Sequence, residues 1–556
     1  MLTVLFNWFY IVATTMSLGY AFSKAIEKKF HYKIKRFQNI VAVGFVIATV
    51  YAQVFSIFYK VGFVANLLLF IVCAGIVVLY KQQIKIDFRN CRKELCSIKG
   101  IVVTVMILMW AYFTSRGIIH YDTDLYHAQS IRWIEEYGVV PGLGNLHLRF
   151  AYNSSIFAIS ALFSMKFLLG QSIHTISGFF ALMLSFCVLD IGKTWREKSF
   201  RLSDFARIAA IYYLTMICDE VVSPASDYVI MCTIFYLVIE WLSVLEAQKE
   251  KSNSIEPYAL LCIGGVFAVS LKLTAGLILI LVIKPAYMLI KDKRWKEIAI
   301  YICMGIVVIA PWLMRTVIIS GYLLYPFPAL DLFDVDWKIT AEVATLDAAE
   351  IKTWGRAIFN ATKVAIPIQE WFPNWFSTTL SGTEKLLILA DVGTLFVLGI
   401  VAIYHFFRKR WEELDFLLVM TTVAASYLFW QISAPLMRYG YSHVLLLVVL
   451  MAGYLFNRYT IKRKRFQQVF YVLVILAGIA KFIPLWSYAV SVREQPFYIM
   501  QKDYGQYESA VYEVNGVSIY YPVEGDRIGY KAFPASTRKM EIEFRGEDIR
   551  EGFRMK

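Results

Sequence analysis

Residues 100–127 read GIVVTVMILMWAYFTSRGIIHYDTDLYH. The run from Gly100 to Ile119 is about twenty mainly apolar residues, long enough to cross a bilayer. It leads straight into His120-Tyr121-Asp122-Thr123-Asp124-Leu125-Tyr126-His127, which sets two carboxylates, two imidazoles and two phenols at the water boundary. Acids beside a bilayer are costly, so their position asks for a functional reason. Three of the seven histidines (His120, His127 and His147) fall in this one loop.

The whole chain has the composition of a membrane protein. It has 556 residues, 58% of them hydrophobic, with a mean hydropathy of +0.56. Soluble domains lie nearer 45–50% apolar, at about half. The fold class expected is an all-α polytopic membrane protein. The net charge of +14 is spread over short basic loops between apolar runs. That is the pattern of an orientation signal, so nucleic acid is not an expected partner. The eight cysteines lie mostly within apolar segments, with Cys91 and Cys96 in one basic loop. No cysteine falls in a loop assigned outside below, and no structural disulfide is expected. Leu2 to Phe22 lacks a basic n-region and a small-residue cleavage site, and reads as a retained helix.

Apolar runs of spanning length read 2–22, 37–58, 62–80, 100–119, 172–192, 204–219, 226–246, 257–271, 273–290, 298–319, 386–407, 415–434, 441–456 and 469–490. The basic loops Lys24–Arg36, Lys81–Lys99, Lys193–Arg201, Lys291–Lys296, Arg408–Arg410 and Arg458–Arg465 should share the cytoplasmic side. They do so only if the further apolar stretch Tyr152 to Leu169 does not span. Its Asn153, four serines and Lys166 suit a helix lying in the interface. About fourteen spans follow, with both termini outside. The chain divides into N-terminal spans (1–99), a core with the first external loop 120–170 (100–320), an external loop (321–385), C-terminal spans (386–490) and a small external segment (491–556). The outer face then gathers 120–170, Asp219–Asp227, 320–385, the Pro435–Tyr439 turn and the C-terminal segment. No Gly-x-x-x-x-Gly-Lys loop occurs in the basic loops.

Several outer segments carry local signals. Asp124 to Tyr137 reads as an amphipathic helix, with Leu125, Ala128, Ile131 and Ile134 toward lipid and Gln129, Arg132, Glu135 and Glu136 toward water. Asp122 or Asp124 can cap its start, as Asp227 can cap the span it opens. Lys272 interrupts an apolar run between two short spans. Lys272, Arg315 and Arg438 stand near outer span ends, placed either to anchor headgroups or to meet a phosphate. In 320–385 the alanine-rich half of an acidic stretch looks helical. Trp371, Phe372, Trp375 and Phe376 suggest an aromatic helix in the interface. Val511–Val514, Asn515-Gly516 and Val517–Tyr520 form a hairpin signal, and Met540–Phe544 reads as a further strand.

The ordered set of Asp122-Thr123-Asp124-Leu125-Tyr126 after a span, a juxtamembrane helix, a second amphipathic helix at 152–169, Asp227 at a span start, Lys272-x-Thr274 and Arg438-Tyr439 resembles the GT-C superfamily of membrane glycosyltransferases. The nearest pattern is that of protein O-mannosyltransferase-like and aminoarabinose-transferase-like enzymes, and of a bacterial polytopic membrane-protein family. Two features depart from it: Thr123 separates the two acids, and three spans precede the motif. The resemblance implies a GT-C-like bundle in a bacterial plasma membrane. It implies inverting transfer of a sugar from a polyprenyl-phosphate donor to a glycan or lipid acceptor outside the cytoplasm. Asp122, aligned with the leading acid of the family motif, is the expected general base, with Asp124 the alternative. Asp227 would orient the acceptor or help hold a divalent metal, and Lys272, Arg315 and Arg438 would contact the lipid phosphate. Tyr126, His127 and Tyr439 would shape the site. Two carboxylates and an imidazole can ligate a divalent metal, though the spacing selects no particular ion. A transporter or flippase, or an O-antigen-type polymerase or ligase, also fits a polytopic protein acting on lipid-linked glycans. The first predicts internal repeats, which are not evident. The second favours arginine-centred chemistry in a large external loop, and 320–385 is acidic.

Overall fold

A computed structural model describes residues 1–85, 98–192, 199–251, 254–410, 413–460, 463–491 and 497–556. Cys91, Cys96 and the greater part of the basic loops 81–99 and 193–201 lie outside the described residues. The chain is mostly helical. Among the described residues nine helices are long and apolar enough to cross a membrane, by length and composition, as in a multi-pass membrane protein. The segments expected at 62–80, 100–119, 172–192, 204–219 and 257–271 are also helices, but shorter. One reason for the shortening is clear in the 100–119 run. Its helix, Ile98–Ser115, stops at Gly117, which holds φ +120°, and Ile118 then bonds to the Asp219 carbonyl. A Cβ at Gly117 would stand 2.3 Å from that carbonyl oxygen, so only glycine lets the two turns meet.

The 257–290 run does break at Lys272. Glu256–Leu271 ends in an extended Lys272 (φ −156°, ψ 123°), and a 3-10 helix, Leu273–Val282, folds back against it before continuing as Ile283–Lys291. The two N-terminal helices, Leu2–Phe30 and Phe37–Phe58, pack at backbone contact. A Cβ on Gly44 would lie 1.7 Å from the Thr15 carbonyl oxygen.

Three expectations about amphipathic helices need correction. Most of the 152–169 stretch is not a surface helix, and only its last turn, Lys166–Leu169, exposes apolar side chains at Phe167 and Leu168. It forms a short helix, Ser155–Phe163, whose residues are all buried between Phe37–Phe58 and Ala128–Glu136. Three of its four serines find protein partners: Ser154 Oγ donates to the Leu271 carbonyl at 2.6 Å, Ser155 Oγ accepts from Ser270 Oγ at 2.9 Å, and Ser164 Oγ donates to the Ala161 carbonyl at 3.0 Å, while the buried Ser160 Oγ has no partner among the described residues.

The 124–137 helix exists, as a π-turn, Thr123–His127, leading into Ala128–Glu136. Its polar face is not wet, however. Gln129 donates to the Gly529 and Ala532 carbonyls, Arg132 to the Tyr530 and Lys531 carbonyls, and Glu135 accepts from Ser172 and Tyr530. The C-terminal segment therefore covers the face that the pattern assigns to water. The aromatic helix at Ile368–Thr378 likewise turns Trp371 and Trp375 into the protein, with Trp375 Nε1 donating to the Pro435 carbonyl at 2.9 Å.

The C-terminal segment holds the expected Asn-Gly hairpin, Ser509–Val514 with Val517–Pro522, closed by Asn515 (φ 48°) and Gly516 (φ 78°). Ile542–Phe544 pairs antiparallel with Phe553–Met555. These strands share an apolar cluster with Trp133, Leu146, Phe150 and Tyr322. Near the other terminus, the Met1 amine donates to the Phe497 carbonyl at 2.6 Å and Leu2 N–H to that of Tyr498 at 2.8 Å. The chain start, the first loop and the C-terminal segment thus occupy one end of the bundle. At the other end, Arg408, Arg410 and Arg458 gather over the Tyr404 ring.

Candidate functional site

Four helix ends converge where the first loop begins. The approach to it is pinned by the 219–223 turn: Ile118 N–H donates to the Asp219 carbonyl and His120 N–H to Ser223 Oγ, at 2.8 and 2.7 Å. This delivers His120 and Asp122 to the start of the Thr123–His127 turn. Ser226–Lys251 brings Asp227 in its first turn. The Leu271 stop brings Lys272. Met437–Thr460 brings Arg438 and Tyr439, held in place because Trp430 Nε1 donates to the Leu436 carbonyl at 2.9 Å and Gly440 lies flat on the Trp430 ring.

The four charged side chains form a continuous ion-pair chain. Arg438 Nη2 donates to Asp122 Oδ2 at 2.7 Å, and Arg438 Nε stands 3.4 Å from Asp227 Oδ2, an ion-pair distance without hydrogen-bond alignment. Lys272 Nζ bonds to Asp227 Oδ1 and sits over the Tyr439 ring, 3.3 Å from its centroid. Arg438 Nη2 also donates to the Tyr439 hydroxyl at 3.0 Å. Two carboxylates and two cations leave the group formally neutral. Neither Asp122 nor Asp227 spends its carboxylate on capping, since Asp122 makes no cap bond and both oxygens of Asp227 face cations.

His120, quoted in the motif but given no role by sequence, belongs to this group. Arg438 donates to its Nε2, while the Asp122 amide points at Nδ1 from 3.1 Å. A neutral imidazole accepts at one nitrogen only, so these donors compete, and a protonated ring could accept from neither. Burial, and then Arg438, push the His120 pKa down accordingly.

Tyr126 lines the same space. Burial raises its phenol well above the ordinary range, and Asp122, Tyr439 and Asp227 add to the shift. His127 is buried beneath it, its ring tilted against Phe157 with its Nδ1 3.5 Å from Thr123 Oγ1; burial lowers its pKa to about 3, so it stays neutral. Its role is packing under Tyr126.

Two expected members lie elsewhere. The Asp124 carboxylate accepts from Gly505 N–H at 3.0 Å and from the Tyr507 hydroxyl at 2.9 Å, and its carbonyl accepts from Ile528 and Gly529. It ties the first loop to the C-terminal segment. Arg315 is buried in Trp295–Ser320, where it donates to Asn153 Oδ1 at 3.1 Å and to Ser56 Oγ. It neither anchors a headgroup nor bonds to the ion-pair chain. It fixes the 152–155 turn against the end of Phe37–Phe58.

A second polar group borders Tyr126 and went unread in the sequence. Asp347, from the Ala341–Gly355 helix, accepts from Arg149 Nη1 at 3.0 Å, from the Tyr152 hydroxyl at 2.7 Å and from the Tyr325 hydroxyl at 3.0 Å. Asp347 sits 198 residues from Arg149, so no local pattern could pair them. His120 did carry a usable signal, since it stands two positions from Asp122.

The metal-ligand expectation finds no donor set. Among the described residues no group of three or more His, Cys, Asp or Glu side chains converges to hold an ion, and Asp122 and Asp227 already face guanidinium and ammonium groups. What the arrangement can do is accept a proton at a carboxylate while placing two cations beside it.

No curated protein matches the chain. A family described as a domain of unknown function (DUF8201) matches residues 1–445, and the chain belongs to that family.

Proposed function

We propose that the protein is a membrane glycosyltransferase that moves a sugar from a polyprenyl-phosphate donor to a cell-surface glycan or lipid acceptor. In this reading the site lies on the extracytoplasmic face of a bacterial plasma membrane, with both termini on that side. The observation that carries it is the Asp122–Arg438–Asp227–Lys272 chain, assembled from four separate helix ends. The motif order that resembles GT-C enzymes supports the same assignment.

The chemistry balances on these residues. Asp122 takes the proton of the acceptor hydroxyl as the hydroxyl oxygen attacks the anomeric carbon. The bond from that carbon to the phosphate oxygen breaks, and the phosphate leaves with one more negative charge. Protonating Asp122 removes its pull on Arg438, which frees the guanidinium for the phosphate at the moment its charge grows. Lys272, held by Asp227, adds the second cation. Such stabilisation is realised in the transition state and not before, which is what raises a rate.

The test compares cells carrying wild type, a deletion and Asp122→Asn. Glycans and lipid-linked sugars are profiled together, with protein levels matched. The expected result is that Asp122→Asn matches the deletion, loses one glycan modification and accumulates its polyprenyl-phosphate sugar. Normal glycans in Asp122→Asn, with a defect in the deletion, would remove Asp122 as the base. A lipid-linked sugar accumulating on the cytoplasmic side alone would point instead to a flippase.

A further inference from the structure

The cluster around Asp122 is not the only built space in the molecule. An apolar cavity of about 580 Å³ lies between the Phe37–Phe58, Ser226–Lys251, Glu256–Leu271 and Trp295–Ser320 helices. None of Asp122, Asp227, Lys272 or Arg438 lines it. Glu240, at its polar end, follows Asp227 by 13 residues (240 − 227) on one helix, roughly 20 Å at the helical rise. The cavity therefore belongs to the other half of the bundle, the half that bears the Lys24–Arg36 loop.

Three features define what it can hold. Its walls are almost wholly apolar, with Val43, Phe45, Leu260 and Met304 among them. It opens sideways: Val307 lines it while 61% exposed, and Ile302 and Ile306 continue the exposed apolar face of the same helix. In a membrane-spanning helix that face meets lipid tails. Its polar floor is already satisfied, because Glu240 accepts from Arg36 at 2.5 Å and from Asn39 at 2.9 Å, and Tyr236 donates to Asn39 at 3.1 Å. Positive charge stands next to it along the chain, where Lys33 acts on Glu27 only electrostatically. Ile34 lines the cavity, and its neighbours Lys33 and Lys35 are exposed and form no salt bridge among the described residues.

We propose that this cavity holds one acyl chain of an anionic phospholipid, entering from the bilayer through the gap beside Val307, with the headgroup against Lys33 and Lys35. The apolar walls supply affinity without regard to headgroup. The two lysines supply the preference for negative charge. This site is independent of the glycosyltransferase reading and stands or falls without it.

The experiment uses the full chain in neutral detergent, with equal amounts of dioleoyl phosphatidylglycerol and dioleoyl phosphatidylcholine, read by native mass spectrometry. Wild type should retain one phosphatidylglycerol, preferred by roughly tenfold. Lys33→Gln/Lys35→Gln should keep a lipid adduct but bring the preference near parity. Ala42→Trp and, on the facing wall, Met304→Trp should each lose the adduct. A second readout needs no substitution. Cys303 lines the opening and is exposed, so phosphatidylglycerol should slow its alkylation in wild type. The proposal is overturned if wild type binds both lipids equally. It is overturned if the adduct survives in tryptophan variants that melt as wild type does, or if Cys303 reacts at the same rate with and without lipid. Displacement of phosphatidylglycerol by an equal amount of polyprenyl phosphate would make the occupant an isoprenoid lipid and overturn it too.

Discussion

Asp124→Asn separates the two acids of the motif by what each one does. The Asp124 carboxylate uses both oxygens, one for the Gly505 amide and one for the Tyr507 hydroxyl. Asparagine keeps one acceptor and turns an NH2 toward the other donor. Losing a hydrogen bond to a charged group and stranding its donor costs roughly 1.5–3 kcal/mol. The native carboxylate already bears a desolvation cost, seen in its raised pKa, so about 1–2 kcal/mol is the expected net loss. That corresponds to roughly a five- to thirtyfold rise in the population with the C-terminal segment undocked. Amide hydrogen exchange of the full chain in nanodiscs should show the rise across 503–530 and leave the Met437–Thr460 helix unchanged. Asp122→Asn should leave exchange across 503–530 at the wild-type level.

A pH dependence follows with a definite sign. An acid whose folded pKa is raised binds its proton more tightly when docked, so docking is strongest below the ordinary value of 3.8 and weakens as pH rises through the raised value. Asp124→Asn should flatten that slope in part, because Glu135, also raised by burial, contributes in the same direction. Unchanged exchange in Asp124→Asn together with complete loss of transfer would refute the assignment and return Asp124 to the site.

Other consequences can be read in the same full-length protein. Arg438→Lys keeps the charge but not the fork that reaches Asp122, Asp227 and His120 together, so transfer should fall by roughly 10²–10³-fold, nearly as far as in Arg438→Gln; near-normal transfer in the lysine variant would count against the bridging role. His120 is held neutral, so the pH profile of transfer should lack an inflection at the ordinary 6.5 and decline only at lower pH. The stability it contributes is full above 6.5 and is lost as pH falls through its lowered value, and thermal unfolding of His120→Gln should show a shallower acid limb, to which the buried His127, His147 and His174 still contribute. Gly44→Ala forces a Cβ into the Thr15 carbonyl and should cost roughly 1–3 kcal/mol, seen as a lower melting temperature, whereas Gly75→Ala, with open space around its Cβ, should not lower it.

The members of the ion-pair chain were legible because the membrane confines charge. An apolar run cannot hide Asp, Lys or Arg cheaply, so each such residue marks a helix end or a break, and ends on one face must meet. Asp227 and Arg438 in first helical turns and Lys272 at a stop all follow that rule. The Asn515-Gly516 hairpin was legible for a different reason: its turn is fixed by local backbone preference. Arg315 obeyed neither rule. A buried arginine satisfied by Asn153 and Ser56 looks, in sequence, like one waiting for a phosphate.

The wet face assigned to Gln129, Arg132 and Glu135 failed because its cover comes from about 400 residues downstream, a contact that periodicity cannot encode. The division between Asp122 and Asp124, by contrast, was available from geometry alone. Residues two apart in a helical turn point to nearly opposite sides of its axis (roughly 200° apart in an α-helix, and similarly opposed in this π-turn), so they cannot serve one site from one face. Thr123, between the two acids, is therefore a geometric device. It points one carboxylate into the ion-pair chain and the other toward the segment that covers the loop. In a motif whose acids are adjacent the angle would be only about 100°, and both could reach a common ligand. The intervening residue is thus what leaves Asp122 without a second carboxylate from its own turn, and what makes Asp227 its counterpart across Arg438.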